Sequence, residues 1–376
     1  MIEFFIGIWD YVIPFLLILT VLVFVHEMGH YLVARYNGVR IETFSIGFGP
    51  ELFGWNDKVG TRWKFSMLPL GGYVKMFGEM DLDEESDKPP LSDEEKELSF
   101  VHKPLHQRAA IVAAGPIANF LFAILAFAIL FSTFGQPYTV PDIGGVQAGS
   151  AAEAAGLRSG DVVLRIDGSS INRFEDIKQV VGLNTGSPLE IIVERDGGEV
   201  TVVATPERVE ITNRFGHVQT VSRLGIRSAG MNYLLRDPGT ALWEGTKETV
   251  AFTALTLKAL GQMISGTRGA DELSGPIGIA QMSGEAARGG FATLLWFMAI
   301  LSINLGLINI FPIPLLDGGH LFFYGIEAII GRAPSAKLRE IGFRLGLAMV
   351  LTLMVFATWN DLSRLPVADY FRGLFS

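Results

Sequence analysis

Two histidines and a glutamate in the segment His26-Glu27-Met28-Gly29-His30 have the residue types and the spacing of a hydrolytic metal site. If the segment is helical, the imidazoles of His26 and His30 project from one face on adjacent turns and can share one zinc ion. Glu27 directly follows the first ligand, where a carboxylate can act on water at the metal. The chain contains no cysteine, so further ligands must be histidine, aspartate or glutamate.

This segment lies inside an apolar run from Tyr11 to Ala34, which is long enough for a helix to cross a bilayer. Ionisable side chains are costly at that depth and usually mark function there. Because water must still reach the metal, we predict that this face lines a polar cavity shielded by other helices. The N-terminus lacks the basic region and cleavage site of a secretory signal, so the run is predicted to be retained.

Composition predicts a multi-pass α-helical membrane protein with about four transmembrane helices. The 376 residues are 49% apolar and 18% charged, and the mean hydropathy is +0.36. The formal net charge of −9 argues against nucleic acid as a partner. The predicted spans lie in residues 1–37, 109–135, 291–322 and 323–376, and the last of these segments also holds the C-terminal tail.

Residues 38–108 are predicted to form a membrane-associated β region followed by an acidic cytoplasmic loop. Polar and apolar residues alternate in 61–67, as in a half-exposed strand, and the neighbouring segments are rich in glycine and proline. One interpretation is a small surface hairpin. The other is a sheet edge near the metal, where an extended substrate adds as a further strand. Residues 79–97 carry ten acidic side chains against two lysines, which indicates a solvated loop.

A soluble α+β domain is predicted at residues 140–208, between the second and third spans. A helix is expected near 174–183, and Asp196-Gly197-Gly198 is typical of a hairpin turn between two strands. Residues 209–290 are predicted to hold a polar connector and an amphipathic helix at 241–265 that lies at the membrane interface. An additional span is the alternative for this helix.

The third span runs into a segment that contains Asn309, Pro312, Pro314 and Asp317. Prolines break a helix, which a membrane tolerates only where the freed backbone is buried or lines a cavity. An aspartate at that depth is costly unless it is paired or binds metal. A carboxylate also suits the third ligand of a zinc site whose fourth position is left for water. Asp317 and His320 are both candidates; spacing alone does not separate them, and the residues slightly favour Asp317.

The distribution of basic residues predicts the orientation in the membrane. Four spans place both termini on one side. Lysines and arginines flank the loops between spans one and two and between spans three and four: Arg35, Arg40, Lys103, Arg108, Arg332, Lys337, Arg339 and Arg344. By the positive-inside rule these loops are cytoplasmic, and the soluble domain lies on the outer side.

Three motifs in this order make the chain resemble the site-2 proteases, a family of intramembrane zinc metalloproteases, and within it the bacterial regulators of the sigma-E type. They are His-Glu-x-x-His, Gly115-Pro116-x-x-Asn119 and Asn-x-x-Pro-x-Pro-x-x-Asp-Gly at 309–318. The resemblance covers nearly the whole chain. It implies that His26, His30 and Asp317 bind zinc and that Glu27 is the catalytic acid and base. It also implies that Asn309, Pro312 and Pro314 hold or orient the substrate.

The resemblance further implies that a β-hairpin containing Gly71 and Gly72 contacts the substrate. Residues 143–168 look like a PDZ domain, whose backbone amides near Gly144 and Gly145 bind peptide C-termini; a steric filter with an empty groove is the alternative. Family members with two such domains are known, and only one is found here. The implied substrates are single-pass membrane proteins, of the anti-sigma factor or remnant signal peptide type, trimmed beforehand by another protease. The implied location is the bacterial inner membrane, with the active site toward the cytoplasm.

Two other classes of function are compatible with parts of the sequence. A membrane-bound substrate-binding protein or chaperone would use a structural metal, which normally has four protein ligands, and His320 is available as a fourth. A metal transporter is disfavoured, because the sequence shows no inverted repeat and no second buried acidic cluster. His102 and His106 repeat the four-residue spacing, but Pro104 separates them, and they are predicted to be interfacial.

Overall fold

The computed structural model describes residues 2–79, 91–184, 186–212, 218–267, 269 and 274–364. Contacts divide the chain into two compact units, one formed by Met1–Leu130 with Pro238–Ser376 and the other by Phe131–Asp237. The helices are α1 (Ile2–Tyr36), α2 (Asp93–Leu98), α3 (Leu105–Thr133), α4 (Ala151–Ala154), α5 (Phe174–Leu183), α6 (Pro238–Ile264), α7 (Pro276–Arg288), α8 (Phe291–Ile310), α9 (Asp317–Ile330) and α10 (Ala336–Arg364). The strands are β1 (Ile41–Asn56), β2 (Arg62–Met76), β3 (Gln136–Thr139), β4 (Ile143–Val146), β5 (Val162–Ile166), β6 (Ser169–Ser170), β7 (Leu189–Arg195), β8 (Gly198–Ala204), β9 (Glu207–Thr212), β10 (Val218–Arg223), β11 (Ile226–Ser228) and β12 (Met231–Leu234).

Within the described residues, four helices are long and apolar enough to cross a membrane. They are Trp9–Tyr36 of α1, Leu105–Thr133 of α3, Phe291–Ile310 of α8 and Lys337–Ser363 of α10. The prediction of about four candidate spans is therefore confirmed at the level of helix length and apolar composition. The fourth helix, α10, carries charged residues at both of its ends, such as Lys337 and Asp361.

Strand β1 pairs with β2 in an antiparallel hairpin that is folded on itself. Phe44 in the first half of β1 lies opposite Val74 on one side and opposite Trp63 on the other. Trp63 in turn lies opposite Trp55 from the second half of β1. Residues 41–46 are therefore in the middle of the sheet, and residues 72–76 form one of its edges. In the described part of the chain no strand pairs with the outer side of that edge.

Several apolar side chains of this hairpin are exposed, although Phe53 stacks on Phe65 at 4.6 Å. The exposed side chains are Phe48, Leu52, Phe53, Trp55, Met67, Leu68 and Leu70. Another part of the hairpin packs onto α1 and α3, where Phe44 is fully buried and its ring contacts Tyr31 at 5.7 Å and Trp63 at 4.3 Å. The aromatic cluster fixes residues 41–46 and 72–76 beside the middle of α1.

Helix α6 packs along the spanning helices of its unit. The Phe252 ring stacks on Phe127 of α3 at 6.0 Å and meets Trp296 of α8 at 5.8 Å. Thr256 Oγ1 donates to Asn304 Oδ1 over 3.2 Å. This helix is not one of the four candidate spans. The interfacial position expected for 241–265 stays a prediction, although one face of the helix contacts α3 and α8.

Helix α7 was not separated from the connector by the sequence pattern, because a distant residue supplies its cap. The two carboxylate oxygens of Asp361 in α10 accept from the backbone N–H groups of Gly275 and Gly278, each over 2.9 Å. At the other end, Arg288 donates to Asp10 over 3.1 Å and to Tyr11 over 3.3 Å. These contacts join α7 to α10 and to the start of α1.

The second unit is built on a four-stranded sheet in the order β6-β5-β7-β8, with α5 against it. Its core is an apolar cluster that includes Ile143, Val163, Ile166, Ile177, Val181, Ile191 and Val193. The helix expected near 174–183 is α5, and the hairpin across 196–198 joins β7 to β8. Both local predictions are confirmed, because each rests on a short-range pattern.

The second unit extends past residue 208, into the segment expected to be a polar connector. Strand β11 pairs with β4, with Arg227 opposite Gly145, and β12 pairs with β3, with Met231 opposite Thr139. These pairings join segments that are far apart in the sequence, so no local pattern predicts them.

A buried ion pair fixes the start of β5 in this unit. Asp161 is 1% exposed, and its oxygens accept from Arg195 Nε and Nη2 over 2.7 and 2.6 Å and from the Arg158 backbone N–H over 2.8 Å. Burial alone would raise the pKa of Asp161, but these hydrogen bonds and the two positive charges outweigh it and hold that pKa below its usual value.

Candidate metal centre

Glycines allow α1 and α3 to approach closely at the centre of the first unit. A Cβ added at Gly29 of α1 would overlap the Ala114 carbonyl oxygen and lie 2.8 Å from Ala118 Cβ. A Cβ added at Gly115 of α3 would overlap His30 Nε2 and lie 2.9 Å from His26 Cε1. The backbone of α3 at Gly115 is therefore a wall of the space between the two imidazoles.

Three side chains converge in that space. His26 Nε2 lies 3.1 Å from Asp317 Oδ2, His30 Nε2 lies 3.5 Å from the same oxygen, and the two Nε2 atoms are 3.2 Å apart. The candidate ligand atoms of the three residues all lie within 4.8 Å of one another. The side chains are 11%, 10% and 18% exposed. The two histidines of α1 and the aspartate of α9 thus form one compact cluster.

This cluster fits a zinc ion. Asp317 Oδ2 is a buried carboxylate oxygen that makes no hydrogen bond within the described chain, although two imidazole nitrogens face it. Two nitrogens and one oxygen are ligands that zinc accepts, and three protein ligands leave a position open, as in catalytic sites. Among the described residues this is the one group of three or more such side chains close enough to hold a metal, and it does not include His320, His102 or His106.

A tight turn after α8 delivers Asp317 to the cluster. Asp317 is the first residue of α9, and its neighbour Gly318 approaches the carbonyl oxygens of Ile310 and Phe311 so closely that an added Cβ would overlap both. Leu315 adopts a φ of 136°, a region that side chains other than glycine rarely occupy. The Pro312–Pro314 break therefore lets the chain reverse within a few residues and present a carboxylate.

The turn is held from outside by α10. A Cβ added at Gly346 would overlap the Pro314 carbonyl oxygen, and one added at Gly342 would lie 2.9 Å from Phe323 Cζ. These two glycines were not among the predicted site residues, although a spacing of four residues in an apolar helix is a known signal of close helix packing.

The Gly346→Ala variant is expected to lose activity because the added methyl group displaces Pro314 and, with it, Asp317. Misplacement by about 1 Å costs on the order of 100-fold in rate. Cleavage rate and zinc content of the purified protein are the measurements. Gly325→Ala is the matched control, since Gly325 lies on α9 with nothing within 4 Å of an added Cβ. Wild-type rates in Gly346→Ala would show that α10 moves aside instead.

Glu27 lies between the cluster and the edge of the sheet. Its carboxylate interacts electrostatically with His26, His30 and Asp317 and accepts a hydrogen bond from the backbone N–H of Val74. A Cβ added at Gly72 would lie 3.2 Å from Glu27 Cγ and 2.9 Å from Val23 Cγ1. The same Cβ would lie 2.7 Å from the Ser45 carbonyl oxygen, so Gly72 packs closely against both α1 and β1, whereas a Cβ added at Gly71 would overlap the Phe48 ring.

The other predicted site residues are not part of the metal cluster. Asn309 is in the last turn of α8, next to the carbonyls that Gly318 touches, and its side chain makes no hydrogen bond within the described residues. Gly144 and Gly145 are in the second unit, in β4, which pairs with β11 on one side. On the other side the Ile143 N–H donates to the Asp161 carbonyl over 2.8 Å. Both edges of β4 are therefore in use at Ile143, and the Gly144 carbonyl oxygen accepts from Ser159 Oγ over 3.1 Å.

Asn119 belongs to the site, although its motif alone does not indicate a contact with a metal ligand. It is fully buried in α3, and its Nδ2 lies 3.1 Å from His26 Nδ1. His30 Nδ1 lies 2.9 Å from the carbonyl oxygen of Ile111, also in α3. Each imidazole is therefore oriented by a polar group of α3 at its second nitrogen, as is usual for metal-binding histidines.

Comparison with known proteins places this cluster in a family. Residues 14–353 match the family described as Peptidase family M50. A relative from Agrobacterium fabrum, named as a zinc metalloprotease, is 46% identical over 362 residues, which cover 94% of this chain and 96% of that protein. Metalloprotease MmpA of Caulobacter vibrioides is 39% identical over 404 residues and covers 99% and 100% of the two chains. With the matching cluster, these relatives show that the chain belongs to peptidase family M50, the site-2 protease family of zinc metalloproteases.

Proposed function

We propose that this zinc metalloendopeptidase hydrolyses a peptide bond within the transmembrane segment of a membrane protein. The observation that carries the proposal is the position of the cluster. His26 and His30 lie inside the span Trp9–Tyr36, and Gly115 and Asn119 lie inside the span Leu105–Thr133. A peptide bond that reaches these ligands must therefore enter the depth of the membrane.

The ligands we assign are His26, His30 and Asp317, and the catalytic acid and base is Glu27. Zinc held there supplies a Lewis acid that polarises a carbonyl and makes water more acidic. The Glu27 carboxylate accepts a proton from the attacking water and then donates it to the nitrogen of the leaving amine. The Val74 N–H, which donates to this carboxylate, holds it on the side of the sheet edge.

A substrate in extended conformation fits the sheet edge at residues 72–76. A helical substrate hides its carbonyls in hydrogen bonds, so the scissile segment must unwind before water can attack. The edge lacks a partner strand in the described chain and lies against Glu27 through Gly72. A substrate strand added there would gain backbone hydrogen bonds beside the catalytic carboxylate. We assign Gly71, Gly72, Asn309, Pro312 and Pro314 to this substrate path.

The second unit is proposed to act as a PDZ-like domain on the outer side of the bacterial inner membrane, with the active site toward the cytoplasm. Gly145 lies opposite Arg227 of β11, and the Gly144 carbonyl oxygen accepts from Ser159 Oγ, so both glycines are poorly placed to receive a peptide. The open backbone edge belongs to β11, which pairs only with β4 among the described strands. Either this edge binds peptide C-termini or the domain acts as a size filter.

The substrates we propose are single-pass membrane proteins, of the anti-sigma factor or remnant signal peptide type, that another protease has already trimmed. This proposal rests on the resemblance to the site-2 proteases, and a size-filter role of the second unit would agree with it. The rival is a membrane-bound binding protein or chaperone with a structural metal. Three ligands rather than four disfavour it, since His320 is not part of the cluster.

The proposal is tested with the full-length protein in lipid vesicles that contain a reporter with one transmembrane segment and a short outer tail. We expect cleavage inside the membrane segment, loss of cleavage when a chelator removes zinc, and recovery when zinc is restored. Mass spectrometry of the fragments locates the cut. The same reporter with a folded outer domain is the control and should be cut slowly. Zinc-loaded protein that leaves the trimmed reporter intact would favour the binding protein.

A further inference from the structure

We propose that an ion pair between Arg108 of α3 and Glu327 of α9 positions Asp317 by fixing the rotation of α9 about its own axis. The proposal rests on Asp317 as a zinc ligand, which is part of the function proposed above. Neither Arg108 nor Glu327 belongs to the metal cluster. Both are therefore positioning residues, which act on the metal only through Asp317.

Helix α9 does not inherit its orientation from the helices before and after it. The Pro312–Pro314 break separates it from α8, and Gly331, with a φ of 78°, ends it before α10 begins. At its start, Gly318 and Gly319 pack on backbone atoms of residues 310–314. These contacts determine where the helix begins, but a glycine has no side chain that could resist rotation about the helix axis.

Side chains farther along α9 supply that restraint. Arg108 Nη2 donates to Glu327 Oε1 over 2.6 Å, and each side chain of the pair is only 17% exposed. The same guanidinium lies over the Tyr324 ring, with Cζ 5.0 Å from the ring centroid. Its Nε donates to the Lys103 carbonyl oxygen over 3.1 Å. Arg108 thus contacts two adjacent turns of α9 while a backbone group just before α3 holds its guanidinium.

The ion pair and Asp317 lie near opposite ends of one rigid helix. Asp317 is the first residue of α9 and Glu327 is in its last turn, about 15 Å farther along the axis. A side chain extends about 5 to 6 Å from the helix axis, so a rotation of α9 by about 10° moves the Asp317 carboxylate by about 1 Å. A misplacement of about 1 Å costs on the order of 100-fold in rate.

An ion pair is suited to this role because it specifies an angle, which apolar contacts do not. Leu321 and Tyr324 also pack α9 against the apolar cluster that contains Phe44 and Ile111. Burial of apolar surface is non-directional, so these contacts permit small rotations. A hydrogen bond between charged groups is directional. Loss of one partner leaves the other charge with little access to water, which favours a movement of α9 that exposes it.

The test is a charge exchange in the full-length protein in detergent. Glu327→Gln removes one charge at nearly constant size, and we expect zinc affinity, measured by competition with a chelator, to fall about 10-fold. Arg108→Glu and Glu327→Arg each bring two like charges together, and we expect a fall of up to about 100-fold, the range seen when a group behind a metal ligand is lost. The double variant restores an ion pair and should regain most of that affinity.

Glu340→Gln is the matched control, because Glu340 pairs with Arg344 inside α10 and both side chains are more than half exposed. Such pairs contribute little, so we expect wild-type zinc affinity. Thermal unfolding with and without added zinc gives a readout that lost packing alone would not change. The rise in Tm caused by zinc should shrink in the single variants and return in the double variant.

Wild-type zinc affinity in both charge reversals would overturn the inference, and so would a double variant that binds zinc no better than the weaker single variant. Asp317→Ala separates this result from the function on which the inference rests, and we expect that variant to lose zinc. Loss of zinc in Asp317→Ala with normal binding in the reversals would remove only the positioning role. Wild-type zinc binding in Asp317→Ala would overturn the ligand assignment and the inference together.

Discussion

The Gly115→Ala variant is expected to lose zinc, and with it all cleavage, through a single added methyl group. A Cβ at this position overlaps His30 Nε2, the atom that must face the metal, and reaches 2.6 Å from His30 Cε1 and 2.9 Å from His26 Cε1. Neither imidazole can retreat freely, since Ile111 and Asn119 hold the second nitrogen of each ring. We expect zinc affinity to fall by more than about 100-fold, beyond the usual effect of changing a group behind a ligand.

Zinc content of the purified variant, measured together with its thermal stability, distinguishes this steric effect from unfolding. Gly261→Ala is the matched control in another helix, because nothing lies within 4 Å of an added Cβ there. The control should bind zinc normally and gain up to about 1 kcal/mol from the better helix former. If Gly115→Ala retained stoichiometric zinc, α3 would have to lie farther from α1 than the structure places it.

The metal ligands were accessible to sequence reasoning because each part has a local pattern. His26 and His30 share a helix face by their spacing, and the apolar length around them is enough to predict a span. For the third metal ligand, spacing reduced the candidates only to Asp317 and His320. The choice depends on the turn after α8, in which Leu315 takes an unusual backbone conformation and Gly318 packs on the preceding carbonyls. The conformation of this turn depends on contacts between the residues before and after the two prolines, and residue types alone do not predict such contacts.

Contacts between segments that are far apart in the sequence could not be predicted from local patterns. The Gly-Pro-x-x-Asn segment can be recognised as a motif, but the sequence does not show what its residues contact. In the structure, Gly115 leaves room for His30, and Asn119 contacts His26 from another helix. The same holds for Asp361, which caps α7 from α10. The folded hairpin, in which Phe44 lies between Val74 and Trp63, also has no counterpart in the alternation of polar and apolar residues.

The Glu27→Gln variant is expected to bind zinc as the wild type does and yet to cleave about 100- to 10,000-fold more slowly, the usual range for removing a general acid and base. Glutamine has the size of glutamate, and its Oε1 can still accept from the Val74 N–H, so the side chain keeps its place beside Gly72. It cannot take up a proton from water.

Zinc content separates this chemical effect from loss of the site, because Glu27 is not one of the three clustered ligands. Cleavage of the trimmed membrane reporter is measured for both proteins under identical metal loading. Glu27→Asp serves as the partner variant: it keeps a carboxylate but withdraws it by one methylene, so we expect a rate between the other two. Full turnover by zinc-loaded Glu27→Gln would mean that another group transfers the proton, and the strand edge at 72–76 would lose its link to the chemistry. Loss of cleavage with zinc retained would instead assign the proton transfer to the carboxylate that Val74 and Gly72 hold between the metal and the sheet.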